Sequence, residues 1–217
     1  MDVEKIKDDI LLATLPNVVF DGWTHQALRD GTVSAGYDVS MAVRTFPNGI
    51  PDVVEHFSAW ADRRMEEEMR ARDLSQTRVT DRITLAVRTR LEVLEPHQEA
   101  VRRALTYLSL PQNAAMALRL LSRTVDAMWY AAGDTATDFS YYTKRAILSG
   151  VVSSTTLYWL NDSSEGHQDT WGFLDRRLAD VGAFGRTMGK VRGAGGLLNL
   201  LPSPTRFARQ IRRRATD

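Results

Sequence analysis

The 217-residue chain contains no cysteine. Disulfides, thiolate metal sites and cysteine nucleophiles are therefore all excluded. Histidine is scarce, with only His25, His56, His97 and His167. None has a glutamate three residues before it, so the Glu-x-x-His pairs of a di-iron carboxylate site are missing. There is no His-Glu-x-x-His, no P-loop and no nucleophile elbow. Gly193-x-Gly195 lacks the third glycine and the preceding strand of a dinucleotide fingerprint. Glu92, Glu95, His97 and Glu99 lie close in sequence, but Pro96 interrupts them and their spacing has no metal-ligand logic. No stretch approaches the roughly 18 uninterrupted apolar residues of a membrane span. The N-terminal Met-Asp-Val-Glu-Lys-Ile-Lys-Asp-Asp is neither a signal peptide nor an Arg-rich transit peptide. These absences lead to the expectation of a non-enzyme with no catalytic residue, cofactor or metal, made where it works, with a bacterial cytoplasm as the best fit.

Charge is balanced overall but not along the chain. From Gly182 onward there are eight basic residues against one acid, which leaves 20 basic against 26 acidic in the remainder. An acidic body with a basic tail implies an anionic partner for the tail.

Helical periodicity is nearly continuous and strand alternation is almost absent. A first helix is expected from about Val3 to Val19. Thr24 caps a second that reaches Ala35, and a short third spans about Val39 to Thr45. Pro51 suits the first turn of a long fourth helix. Further helices are expected over Thr80–Leu94, Pro96–Leu108, Pro111–Ala132, Ser140–Leu160 and Asp169–Val181. Gly193-Ala194-Gly195-Gly196 reads as a hinge, and Ser203-Pro204 as the start of a last helix. The expected architecture is all-α in three parts: a head of residues 1–50, a body of 51–182, and a hinge with a terminal amphipathic helix over 183–217.

The head has helix-turn-helix spacing. In its Ala35-Gly36-Tyr37 turn and its Phe46-Pro47-Asn48-Gly49 turn it resembles TetR-type transcriptional regulators. DNA binding needs cations on and around the recognition helix. Between Asp21 and Ile50 only Arg29 and Arg44 are basic, against Asp21, Asp30 and Asp38. Val39, Ser40, Met41, Ala42 and Val43 are poor readers of base edges. The head is expected to keep the shape without binding nucleic acid; a working DNA-binding regulator is the alternative.

The most informative stretch runs from Thr137 to Trp171. Ala146–Leu160 carries apolar residues almost all round the helical wheel, which suits either a core helix or one facing an apolar ligand. Ser149, Gly150, Ser153 and Ser154 leave room beside it, and Met128-Trp129-Tyr130 adds aromatics upstream. Ordinary core and dimer-interface packing would use the same residues. The run YYTKRAILSGVVSSTTLYWLNDSSEGHQDTWGFLDRR resembles the signature of the lipid-binding accessory family of ubiquinone biosynthesis. Gly22-Trp23-Thr24, the FPNG turn and Met128–Asp134 extend the resemblance. It implies a TetR-like bundle that forms a homodimer, binds isoprenoid quinone intermediates and phospholipids, and delivers the quinone to the demethoxyubiquinone hydroxylase at the membrane. On that basis Trp129, Tyr130, Tyr141, Tyr142, Leu148, Val152 and Trp159 are expected to contact lipid. The resemblance places the hydroxylase-facing patch on Asp138, Tyr141, Tyr142 and Arg145. Many members of the family carry tryptophan where Tyr141 stands.

The tail offers a separate signal. At about 100° per residue, Phe207, Ile211, Ala208 and Ala215 share one face. Arg206, Arg209, Arg212 and Arg213 occupy the other, with Arg214 on the apolar side. Leu197, Leu198, Leu200 and Leu201 can extend the apolar surface. This is an interfacial pattern suited to an anionic membrane. A solvated basic end or a nucleic-acid tail has the same charge but no use for the apolar face. The expected location is the bacterial inner membrane, peripherally bound from the cytoplasm.

Overall fold

The computed structural model describes residues 2–134 and 140–193. Among these there are nine α-helices and no strand. They are α1 (Val3–Asp21), α2 (His25–Ser34), α3 (Ser40–Thr45), α4 (Ile50–Arg70), α5 (Val79–Leu94), α6 (Gln98–Leu108), α7 (Ala114–Ala131), α8 (Ser140–Trp159) and α9 (Gln168–Gly193). Single 3₁₀ turns lead into α6, α7 and α9.

The starts follow capping chemistry. The Asp2 carboxylate accepts from the Glu4 N–H at 3.0 Å and opens α1. Thr24 Oγ1 accepts from the Ala27 N–H at 3.2 Å and opens α2. Such caps satisfy donors that the first turn leaves unpaired. Gly49, at φ 72°, precedes α4, with proline in that helix's first turn. A positive φ there suits glycine.

One helix end differs from expectation: α9 continues to Gly193 rather than stopping near Val181. Gly182 follows the expected end, but each glycine inside a helix costs only about 1 kcal/mol, and no proline follows before Pro202. The expected hinge at 193–196 and the terminal helix lie outside the described residues beyond Gly193.

Contacts divide the chain into two units, Met1–Asp175 and Arg176–Asp217. In the first unit α1 packs on α2, α3, α4 and α6, and α4 packs on α5 and α7. α7 packs on α8, and α8 also meets α5. The head is joined to the rest by Trp23, whose indole N–H donates to the Ala100 carbonyl at 3.2 Å and whose ring lies 5.4 Å from that of Phe57. Arg103 reaches back to the Val19 carbonyl at 2.7 Å.

α8 is not apolar on every side in the folded chain. Leu148, Val151, Val152, Thr155, Thr156, Trp159 and Leu160 are buried, while Ala146, Gly150, Leu157 and Tyr158 are exposed. The wheel looked uniform because threonines on the inner face and a leucine and a tyrosine on the outer face blur the hydropathy contrast.

Candidate functional site

α4, α5, α6, α7 and α8 surround a cavity of about 390 Å³. Its inner wall is apolar, with Val54, Phe57, Leu94, Val101, Leu120 and Val152 all buried. Burial falls off toward one rim, where Leu157 is 56% exposed and Ser109 is exposed. A volume of this size, mostly apolar with a few polar groups, is typical of a small-molecule site.

The polar groups form one cluster. The Arg90 Nε–H donates to Asp62 Oδ1 at 2.7 Å, and both side chains are only 12% exposed. Arg90 Nη2 lies 3.3 Å from Ser58 Oγ and 3.5 Å from Thr124 Oγ1. The Thr124 hydroxyl in turn lies 3.0 Å from Asp62 Oδ2. A buried ion pair is tolerable only when further hydrogen bonds satisfy its remaining atoms; Ser58 and Thr124 supply them. Arg90, Ser58 and Thr124 line the cavity. The sequence signal for this cluster was an arginine on the apolar face of α5, between Val87 and Leu94, where the helical spacing asks for an apolar residue.

The residues expected to contact lipid are scattered. Val152 lines the cavity, with Ser153, Thr156 and Leu157 beside it. Leu148 and Trp159 are buried in the core, Trp159 completely, and neither lines the cavity. Trp129 is half-buried, with the Lys144 ammonium 5.4 Å from its ring centre. Tyr130 and Tyr142 are surface residues, 72% and 74% exposed. Of the expected partner patch, Tyr142 is exposed at the start of α8 and Arg145 pairs with Asp126. Lys144 pairs with Asp134 at 3.2 Å. Asp138 and the Tyr141 side chain lie outside the described residues. So do the expected membrane residues Leu197, Leu198, Leu201, Arg206, Phe207, Arg209, Ile211, Arg212 and Arg213.

The Asp162–Trp171 turn is a capping device centred on one carboxylate. Asp162 Oδ1 accepts from the Ser164 N–H at 2.8 Å, and Oδ2 accepts from the Thr170 N–H and hydroxyl at 2.9 and 2.6 Å. Those donors hold its pKa far below the ordinary carboxylate range, against the opposing effect of burial. Ser164 Oγ accepts from the Asp169 N–H at 3.1 Å. Capping therefore falls to Asp162 and Ser164 rather than to Glu165 and His167. His167 instead sits between the rings of Trp159 and Trp171, at 5.9 and 6.4 Å.

Two other histidines are structural. His56 on α4 is buried, with Nε2 2.7 Å from Asp8 on α1. Burial pushes its pKa below the usual value, against the pull of Asp8. Burial also lowers His97, whose ring meets Trp60 edge-on at 5.8 Å. A histidine held neutral in the fold binds its proton more readily when unfolded, so stability is complete above the unfolded pKa of about 6.5 and declines as pH falls through it. Denaturant midpoints are expected to drop between about pH 7.5 and 5.5, and less so in a His56→Gln/His97→Gln variant. A wild-type profile flat over that range would contradict this assignment. Among the described residues no group of three or more histidines and acids could hold a metal ion.

The COQ9 family model matches residues 114–185, which span α7, α8 and most of α9. Over 202 residues the chain is 40% identical to the ubiquinone biosynthesis protein COQ9, mitochondrial, of Rattus norvegicus, covering 90% of this chain and 64% of the relative. It is 36% identical over 200 residues to the corresponding COQ9-B protein of Xenopus laevis, covering 88% of this chain and 68% of that one. The chain belongs to the COQ9 family.

The chain spans just under two thirds of the rat COQ9 protein's length. A solved structure of a TetR transcriptional regulator from Nitrosomonas europaea ATCC 19718 superposes with a TM-score of 0.66 at 20% identity, over 81% of this chain and 97% of that one. COQ9 sequence and TetR-like fold thus meet in one chain, as the resemblance implied. In the head, α3 exposes Val43 at 70%. Arg29 is tied to Gln26 at 2.6 Å.

Proposed function

We propose that this chain is a non-enzymatic lipid-binding protein of ubiquinone biosynthesis. It takes an isoprenoid quinone intermediate into the α4–α8 cavity and presents it to the demethoxyubiquinone hydroxylase at the membrane. The observation that carries the reading is the apolar cavity open on one side, in a chain whose relatives are named ubiquinone biosynthesis proteins. Moving a polyprenyl tail through water costs about 0.8 kcal/mol per methylene. A cavity that meets the bilayer avoids that step.

In this reading residues 1–50 are a packing head, 51–182 hold lipid and form a homodimer, and 183–217 hold the membrane. The exposed Tyr142, with Asp138, Tyr141 and Arg145, forms the surface offered to the hydroxylase. The surface bound is the anionic cytoplasmic face of a bacterial inner membrane, whereas the rat and frog relatives are named as mitochondrial. No helix among the described residues is long and apolar enough to cross a membrane, so attachment is assigned to the tail. Each arginine near an anionic surface contributes about 1 kcal/mol. Deleting residues 197–217 is expected to abolish co-sedimentation with phosphatidylglycerol-containing vesicles at low salt. Undiminished binding would remove the tail from the mechanism.

Native mass spectrometry and lipid extraction of the purified chain test the central claim. Isoprenoid quinones or phospholipids should copurify, and Ala104→Phe, which fills the cavity, should reduce them. Protein free of lipid that shifts palindromic DNA in a salt-sensitive way would instead favour a transcriptional regulator.

A further inference from the structure

The cavity is not uniformly apolar: Arg90, Ser58 and Thr124 line it beside the apolar side chains. Thr124 is 3% exposed and Arg90 12%, whereas Leu157 and Ser109 stand at the rim. Arg90 uses Nε on Asp62 and Nη2 on Ser58 and Thr124. A guanidinium carries five N–H donors, and among the described residues no acceptor meets Nη1. Arg90 thus brings donor capacity beyond its protein contacts to the wall of the cavity.

We infer that Arg90 is a specificity-determining residue that receives a neutral, oxygen-bearing head group inserted head-first. The inference rests on the lipid-binding reading above and adds an orientation and a chemical class. Asp62 already balances the charge of Arg90, at 2.7 Å. A fatty-acid carboxylate would bring a second, unbalanced negative charge into this site, which is costly when buried. A ring carbonyl or a phenol brings no charge. Its oxygen accepts from Arg90, and a phenolic O–H can donate to the Ser58 or Thr124 hydroxyl. A hydrocarbon without such a head leaves the donor unpaired, and sites built on hydrogen bonds discriminate strongly against partners that lack the matching atom. The cavity is of a size for one drug-sized ligand, so a long polyprenyl tail must leave past Leu157 and reach the bilayer with its head still held.

The test uses the full chain and three probes in the same detergent: decylubiquinone, dodecane and palmitate. Affinities are measured by calorimetry for wild type, Arg90→Met, and the double variant Asp62→Leu/Arg90→Met. The double variant removes both charges together, so it keeps the proposal testable if Arg90→Met alone fails to fold around an unpaired Asp62. Wild type is expected to bind decylubiquinone at least tenfold more tightly than either other probe. The double variant should lose that preference while still binding dodecane as wild type does. Palmitate bound as tightly as the quinone, or a quinone preference unchanged in the double variant, would overturn the anchor and leave the lipid cavity standing. Binding of none of the probes by folded wild type would overturn both.

Discussion

Gly31→Ala is expected to lower the melting temperature by several degrees, although alanine is the best helix former. In an open helix the exchange would gain about 1 kcal/mol. Gly31, however, lies where α2 crosses α1. A Cβ there would sit 2.2 Å from Thr14 Oγ1, 2.6 Å from Thr14 Cα and 2.8 Å from its Cβ. Thr14 is itself buried, and its hydroxyl donates to the Ile10 carbonyl at 2.7 Å. A rotamer change cannot clear a contact with backbone, so α1 must move away from α2. Ile10, Leu11, Leu15 and Val18, all buried, would then lose packing along its length. Overpacking of this kind costs about 1–3 kcal/mol, or about 2–4 °C per kcal/mol in a chain of this size. Gly31→Val should be worse. Gly150→Ala is the control, because among the described residues no neighbouring element lies within 4 Å of a Cβ there. It should leave the melting temperature unchanged or raise it. Equal melting temperatures for Gly31→Ala and wild type would show that the two helices are not held at this distance.

The close α1–α2 crossing was not visible in the sequence, and neither was the cavity, for a common physical reason. Periodicity reports which face of a helix is turned inward, but not how far apart the inward faces stand. Thr24, Pro51 and the Phe46–Gly49 turn are local signals, and the helices begin beside them as expected. The cavity wall comes from residues three or four apart on five helices, such as Val101, Ala104 and Leu108 on α6. Each stripe taken alone reads as ordinary core. The aromatic cluster drew attention because aromatics carry the most apolar area, yet the fold divides it among core, half-buried and surface positions. Polar residues on buried faces marked the site better. Arg90 interrupts the apolar stripe of α5, and Thr124 that of α7. The turn after α8 was legible because capping is local chemistry; the place of His167 between two tryptophans was not, because Trp159 lies on another helix.

Trp159→Ala is expected to have the largest effect on stability, and the least informative one for function. Trp159 is completely buried, its ring 5.9 Å from that of His167. Its carbonyl accepts from Gln98 Nε2 at 3.2 Å, which anchors the end of α8 to α6. Removing a buried indole costs about 3–5 kcal/mol, a large share of the roughly 5–15 kcal/mol that holds a typical domain together. Urea denaturation should show the midpoint falling steeply. Trp159→Phe separates volume from polarity. The indole N–H is buried without a partner among the described residues, so phenylalanine gives up volume but also removes an unpaired donor, which is costly to bury. It should therefore cost clearly less than alanine. If the two substitutions cost the same, the indole N–H has an acceptor in solution, and bound water would be the first group to seek there. Tyr130→Ala reads the other end of the same aromatic set. At 72% exposure it should change stability by about 0.5 kcal/mol or less. A loss of lipid binding in that variant would belong to the surface, whereas the same loss in Trp159→Ala would not.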